Sequence, residues 1–168
     1  AYYQLAQSFF KSGNSQKALE GFRRLVANFP SSSLADDAQY GIGWTYFNKK
    51  DYPTSITEFQ KVISKYLNSE LVARACYSIG DAHYNLHQYD AAITSYKQVL
   101  TRFPTNPLVA EAISAIQYCL NAQGKNEESL KVVDYIYVIA DGKLMGEGTP
   151  DEVLASSDPY LNQFLKAL

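Results

Sequence analysis

Residues 34–66, LADDAQYGIGWTYFNKKDYPTSITEFQKVISKY, decide the fold. Leu34, Ala38, Ile42 and Tyr46 recur at four-residue steps, then Ile56, Phe59, Val62 and Ile63 at three- and four-residue steps. Both spacings put the apolar side chains on one face of a helix. Lys50-Asp51-Tyr52-Pro53 interrupts them with turn-forming residues, so the stretch predicts two helices joined by a tight turn. A step of 37 residues in either direction meets the same pattern. It links Leu5, Ile42, Ile79 and Ile116; Tyr3, Tyr40, Tyr77 and Ser114; Leu19, Ile56, Ile93 and Leu130; and Phe22, Phe59, Tyr96 and Val133. Gly13-Asn14, His87-Gln88 and Gly124-Lys125-Asn126 break the other units at the equivalent place. Between units, Ser32, Ser69 and Asn106 share a column and are expected to be helix N-caps, with Pro107 at a first helical position. Neither helix of a pair can bury its apolar stripe alone, so the pairs must stack. Units are expected at about 1–31, 32–68, 69–105 and 106–133.

The 168 residues carry 15 basic and 17 acidic side chains, a formal net charge of −2. That balance gives no electrostatic footprint for a nucleic-acid backbone. No apolar run reaches the length that spans a bilayer. The sequence opens on Ala1-Tyr2-Tyr3 and reads as a fragment. Two cysteines do not make a disulfide framework. The unusual figure is 14 Tyr and 8 Phe against one Trp.

These columns resemble the tetratricopeptide repeat. The resemblance rests on the small residues Gly43 and Gly80, the aromatics Phe9 and Tyr46, and Ala18 and Ala92. It rests further on the aromatics Phe22, Phe59 and Tyr96 and the closing prolines Pro30 and Pro104. Cys76 and Leu67 depart from it. It implies an all-α, right-handed solenoid of antiparallel helix pairs over residues 1–133. The long 37-residue period, with its Tyr-Pro or Phe-Pro ends, is similar to that of periplasmic repeat proteins associated with the Tol–Pal system and of an outer-membrane assembly lipoprotein. In such proteins the first helix of each unit lines a concave groove. The matching positions here are Tyr3, Phe10, Tyr40, Trp44, Phe47, Asn48, Tyr77, Asp81, Tyr84, Asn85 and Tyr118, a ladder of rings interleaved with amides. Rings supply contact area at little entropic cost, and an amide can both donate to and accept from a peptide backbone.

Around residue 134 the character changes. Residues 1–133 hold 13 basic and 11 acidic side chains, whereas 134–168 hold 2 and 6. Tyr135–Ile139 has strand propensity, Asp141-Gly142 is a hairpin dipeptide, and Lys143–Glu147 returns as a second strand. The alternative is a helix from about Asn126 to Ala140; the turn dipeptide favours the hairpin. Thr149-Pro150-Asp151-Glu152 reads as a capping box. A last short helix is expected from Asp158-Pro159, with Leu161, Phe164, Leu165 and Leu168 as its apolar stripe. The run from Asp134 to Val153, with Asp158-Pro159 and Gln163-Phe164-Leu165, resembles the C-terminal end of ABC-transporter ATPase subunits of the Mla/MCE lipid-transport type. The phosphate-binding loop, the signature motif and the switch histidine of such ATPases are all missing from the sequence, so nucleotide hydrolysis is not expected. The pairing points to a fusion or chimera.

Chemistry-bearing residues elsewhere have structural explanations. His83 and His87, four apart, would share a helical face, but no third ligand completes a zinc set. Cys76 and Cys119 fall in first helices and read as buried thiols. Asp36-Asp37 and Glu127-Glu128 sit where first helical turns favour negative charge. Arg23-Arg24 and Lys49-Lys50 read as solvated basic pairs. The expected function is a non-enzymatic scaffold, without cofactor or metal, holding a partner protein or peptide in a cell-envelope process. The alternative is an accessory part of a lipid-transport ABC ATPase assembly, with Leu161, Phe164, Leu165 and Leu168 docking on a nucleotide-binding subunit. The first reading places the chain in the periplasm, the second in the cytoplasm.

Overall fold

The computed structural model describes residues 2–132, 136–140 and 143–148. Among these are eight helices: α1 (Tyr2–Lys11), α2 (Ser15–Asn28), α3 (Ala35–Asn48), α4 (Tyr52–Lys65), α5 (Leu71–Asn85), α6 (Tyr89–Arg102), α7 (Val109–Ala122) and α8 (Asn126–Lys131). Two strands follow, β1 (Ile136–Ala140) and β2 (Lys143–Gly148). The chain forms two compact units, Ala1–Ser95 and Tyr96–Leu168, and the division falls inside α6.

In the first unit each helix packs on the next, α1 on α2, α2 on α3, α3 on α4 and α4 on α5. Two apolar clusters hold this stack. One joins Ala6, Ala18, Leu19, Phe22, Leu25, Ala35, Ala38 and Ile42. The other joins Ile56, Phe59, Val62, Ala75, Ile79 and Ala82. Close approach is built in. A Cβ on Gly43 would lie 2.5 Å from the Phe59 ring, and one on Gly21 2.7 Å from Ala6 Cβ. Ser55 sits completely buried and donates its hydroxyl to Gly43 O at 2.9 Å, tying α4 to the backbone of α3.

The turn inside each pair repeats at backbone level. Gly13 (φ 79°), Lys50 (φ 61°), His87 (φ 57°) and Gly124 (φ 76°) all adopt the left-handed conformation, each 37 residues from the next. Glycine takes this conformation freely, whereas Lys and His carry a steric cost from Cβ. The following residue caps the second helix in the first two pairs. Asn14 accepts from Lys17 N at 3.2 Å, and Asp51 from Thr54 N at 3.3 Å.

The links between pairs differ from expectation. Ser32, Ser69 and Asn106 are not the N-caps of α3, α5 and α7; Leu34, Glu70 and Leu108 hold those places without side-chain capping bonds. Instead each polar side chain accepts from the backbone N–H two residues on, at 3.3 Å for Leu34, 3.0 Å for Leu71 and 3.0 Å for Leu108. These are side-chain turns, which use the same residue types as caps. Pro107 accordingly lies ahead of α7 and not at its first position.

In the second unit α7 packs on α8, and Ala112, Ile116, Cys119 and Leu120 are buried. The helix alternative for residues 126–140 is overturned: α8 ends at Lys131, and β1 pairs antiparallel with β2. Ile136 faces Gly148, Val138 faces Gly146 and Ala140 faces Lys143, with a bulge between Val138 and Ile139. The turn dipeptide Asp141-Gly142, the capping box at Thr149 and the stripe Leu161, Phe164, Leu165 and Leu168 lie outside the described residues.

Candidate partner-binding site

The first helices of the first unit, α1, α3 and α5, carry ten of the ladder residues. Tyr3 and Phe10 are half-buried against the first cluster, and the Tyr3 ring meets Phe22 at 5.8 Å. Burial raises the Tyr3 phenol above its ordinary pKa, and the Asp37 and Asp36 carboxylates push the same way. Burial also raises Asp37, with Asp36 adding to it. Ser69 donates its hydroxyl to Asp36 Oδ2 at 2.6 Å.

Tyr40, Trp44 and Phe47 lie against the second cluster. Trp44 meets Phe47 edge-on at 4.8 Å and Phe59 at 6.1 Å, while Tyr40 meets Phe59 at 5.2 Å. All three remain half-exposed. The Tyr40 hydroxyl shares a 3.1 Å hydrogen bond with Ser78 Oγ, joining α3 to α5. Tyr77 and Asp81 are likewise half-buried on α5, and Tyr84 is 38% exposed.

The two amides, equivalent by sequence, are used differently. Asn85 donates from Nδ2 to Asp81 O at 2.8 Å and accepts from the Tyr52 hydroxyl at 3.2 Å. Asn48 is exposed, and its side chain makes no hydrogen bond among the described residues. Tyr118 belongs to the second unit, where it is 66% exposed beside a cavity of about 360 Å³ lined also by Gln117, Asn121 and Leu130.

Sequence reasoning misses Tyr52 and Tyr89, whose rings pack against ladder rings. Phe47 meets Tyr52 at 5.2 Å, and one period later Tyr84 meets Tyr89 at 5.5 Å, both edge-on. The signal was present: an aromatic five residues after another, in the same register twice. His83 and His87 do not share a helical face, because α5 ends at Asn85 and His87 occupies the left-handed turn. Their Nδ1 atoms pair with Gln88 Oε1 at 2.7 Å and the Tyr89 hydroxyl at 2.9 Å. Cys76 and Cys119 are buried.

Stacked helix pairs with this register are what tetratricopeptide repeats form. Residues 3–67 and 73–106 match family models of the tetratricopeptide repeat, and over these residues the chain is a tetratricopeptide repeat protein. The fold is similar to the crystal structure of MamA, with a TM-score of 0.65 at 21% identity, covering 78% of this chain and 71% of that one. It is also similar to the NMR structure of the first TPR domain of human RPAP3, with a TM-score of 0.60 at 18% identity, covering 76% and 94%. Separately, a 40-residue stretch is 50% identical to the intermembrane phospholipid transport system ATP-binding protein MlaF of Haemophilus influenzae. That stretch is 24% of this chain and spans 15% of MlaF. The repeat array is of a type that binds other proteins, and no helix among the described residues is long and apolar enough to cross a membrane.

Proposed function

We propose that the chain is a scaffold whose first-helix face on α3 and α5 holds a segment of a partner protein, in a process of the bacterial cell envelope. One observation carries this reading: Trp44, Phe47 and Tyr84 are half-exposed rings fixed edge-on by neighbouring aromatics, beside the unengaged amide of Asn48. Rigid rings lose little entropy when a ligand covers them, and a free amide can match a peptide group. Tyr40 and Asn85 serve mainly to hold the site, since Ser78 and Tyr52 already engage them. Tyr3, Phe10, Tyr77 and Asp81 form its flanks. The periplasmic assignment rests on the long repeat period.

The test uses the intact chain and proteins co-purified with it. Tyr84→Ala with Asn48→Ala should remove a specific partner and leave helicity and melting unchanged. Because Trp44 is the sole tryptophan, a bound partner should also change its emission. Undiminished capture by the double variant, with Trp44 emission unmoved by the purified partner, rejects the site.

The MlaF-like stretch favours a second reading, in which the C-terminal residues attach the scaffold to a lipid-transport ATPase. Deleting residues 134–168 separates the two. Loss of an ATPase subunit with retention of other partners supports the second reading; loss of neither rejects it.

A further inference from the structure

A second surface shares no residue with the aromatic ladder. Ser15, Gln16, Leu19, Glu20, Arg23 and Arg24 of α2, with Lys49 at the end of α3, line an open cleft of about 680 Å³. Its cations are not balanced. Arg24 pairs with Glu20 at 2.8 Å, but neither Arg23 nor Lys49 has a carboxylate partner among the described residues. Both converge on one ring instead. The Arg23 guanidinium lies 5.8 Å from the centre of Tyr46 and donates to its hydroxyl, while Lys49 Nζ lies 5.5 Å from the same centre. A π face attracts each cation, yet gathering two like charges there opposes their mutual repulsion. An anion between them would relieve that repulsion, and the guanidinium keeps N–H groups beyond the one given to Tyr46.

We infer that this cleft binds an acidic peptide segment of a partner protein through Arg23 and Lys49. The cleft is larger than a lone ion needs, and Leu19 adds methyl groups to a wall that also offers the Gln16 amide and the Ser15 hydroxyl. Such a lining suits a chain with side-chain carboxylates and peptide carbonyls. A dense polyanion fits less well. Glu20 stands in the same wall, and the whole chain is net negative at −2. Specificity arises from two cations gathered on one ring, so exchanging carboxylate for amide on the ligand should abolish recognition.

The experiment is a fluorescence-anisotropy titration of the full chain with a labelled peptide of alternating Glu and Gly, against its Gln/Gly counterpart. The Glu peptide should bind, weaken several-fold as salt rises from about 0.05 to about 0.2 M, and leave the Gln peptide unbound. Arg23→Gln with Lys49→Gln should weaken binding at least roughly tenfold. Glu20→Gln removes the competing carboxylate and should tighten it, which keeps the test decisive if the double variant melts early. Tyr84→Ala should leave the titration unchanged, separating this cleft from the ladder. Equal binding of the Gln peptide overturns the inference. So does wild-type affinity in a folded double variant, or in Glu20→Gln. Displacement of a phosphate probe by inorganic phosphate, without binding of the Glu peptide, would make the cleft a phosphate site and overturn it as well.

Discussion

The pair α3–α4 and the pair α7–α8 are built on the same columns yet close in different ways. In the first, Gly43 leaves room for the fully buried ring of Phe59, and Ser55 bonds the glycine carbonyl. In the second, Gln117 stands in the glycine column. Ser129 still donates to the equivalent carbonyl, at a looser 3.4 Å, and Gln117 Nε2 returns a bond to Ser129 O at 3.1 Å. Ile56 of the first pair is 9% exposed, while Leu130 in its column is 71% exposed. The serine bond therefore survives without the aromatic plug, but the plug is what permits a tight apolar seam. Two reciprocal side-chain-to-carbonyl hydrogen bonds hold helices in register; a ring in a glycine notch also removes apolar surface from water.

Breaking the plug should have the largest effect. Phe59→Ala is expected to destabilise the chain by about 3–5 kcal/mol, read as a lowered urea midpoint. Filling the notch comes next. Gly43→Ala should cost about 1–3 kcal/mol through overpacking against Phe59, whereas Gln117→Ala should cost no more than about 1 kcal/mol. If the two variants lose equal stability, the distinction between a packed and a bonded seam fails.

The turns offer a finer comparison. Lys50→Gly and His87→Gly should each be neutral to stabilising by up to about 1 kcal/mol, because glycine relieves the left-handed backbone. Gly13→Ala and Gly124→Ala should each lose about 1 kcal/mol, although no atom obstructs a Cβ at either glycine. Thermal melts of the four variants check the pattern of signs.

Asp37→Asn should give the smallest change, and one that depends on pH. The Asp37 carboxyl is raised by burial and by Asp36, so ionising it disfavours the folded state. That penalty is absent below the ordinary carboxylate range and complete above the raised value. The variant should therefore melt slightly higher than the wild type at neutral pH and show no advantage in acid. A constant difference at every pH would refute the assignment.

Much of this architecture was legible because the repeat supplies several independent readings of each position. Ile42, Ile79 and Ile116 are all buried, as their shared column requires. Leu5, in the same column, is 57% exposed, a difference that periodicity alone does not reveal. Local chemistry misled where one residue type serves two motifs. Ser32, Ser69 and Asn106 were expected as caps and are side-chain turns, because a hydroxyl or amide reaches the second N–H as readily as the third. The ladder was legible as a set of rings but not in its division of labour. Nothing local marks that Tyr40 meets Ser78, 38 residues away, or that Tyr52 engages Asn85. Lys49 and Arg23 read as ordinary solvated basics until the fold brought both to Tyr46.

The four left-handed residues have a consequence for how such a chain can change length. Gly13, Lys50, His87 and Gly124 are solvent-exposed and share one backbone geometry, so each is an equivalent splice point. Joining Lys49 directly to His87 would excise one whole period and present the next helix with the same entry angle it has now. Recombination at these positions adds or removes complete helix pairs without shifting a single apolar residue to the wrong face.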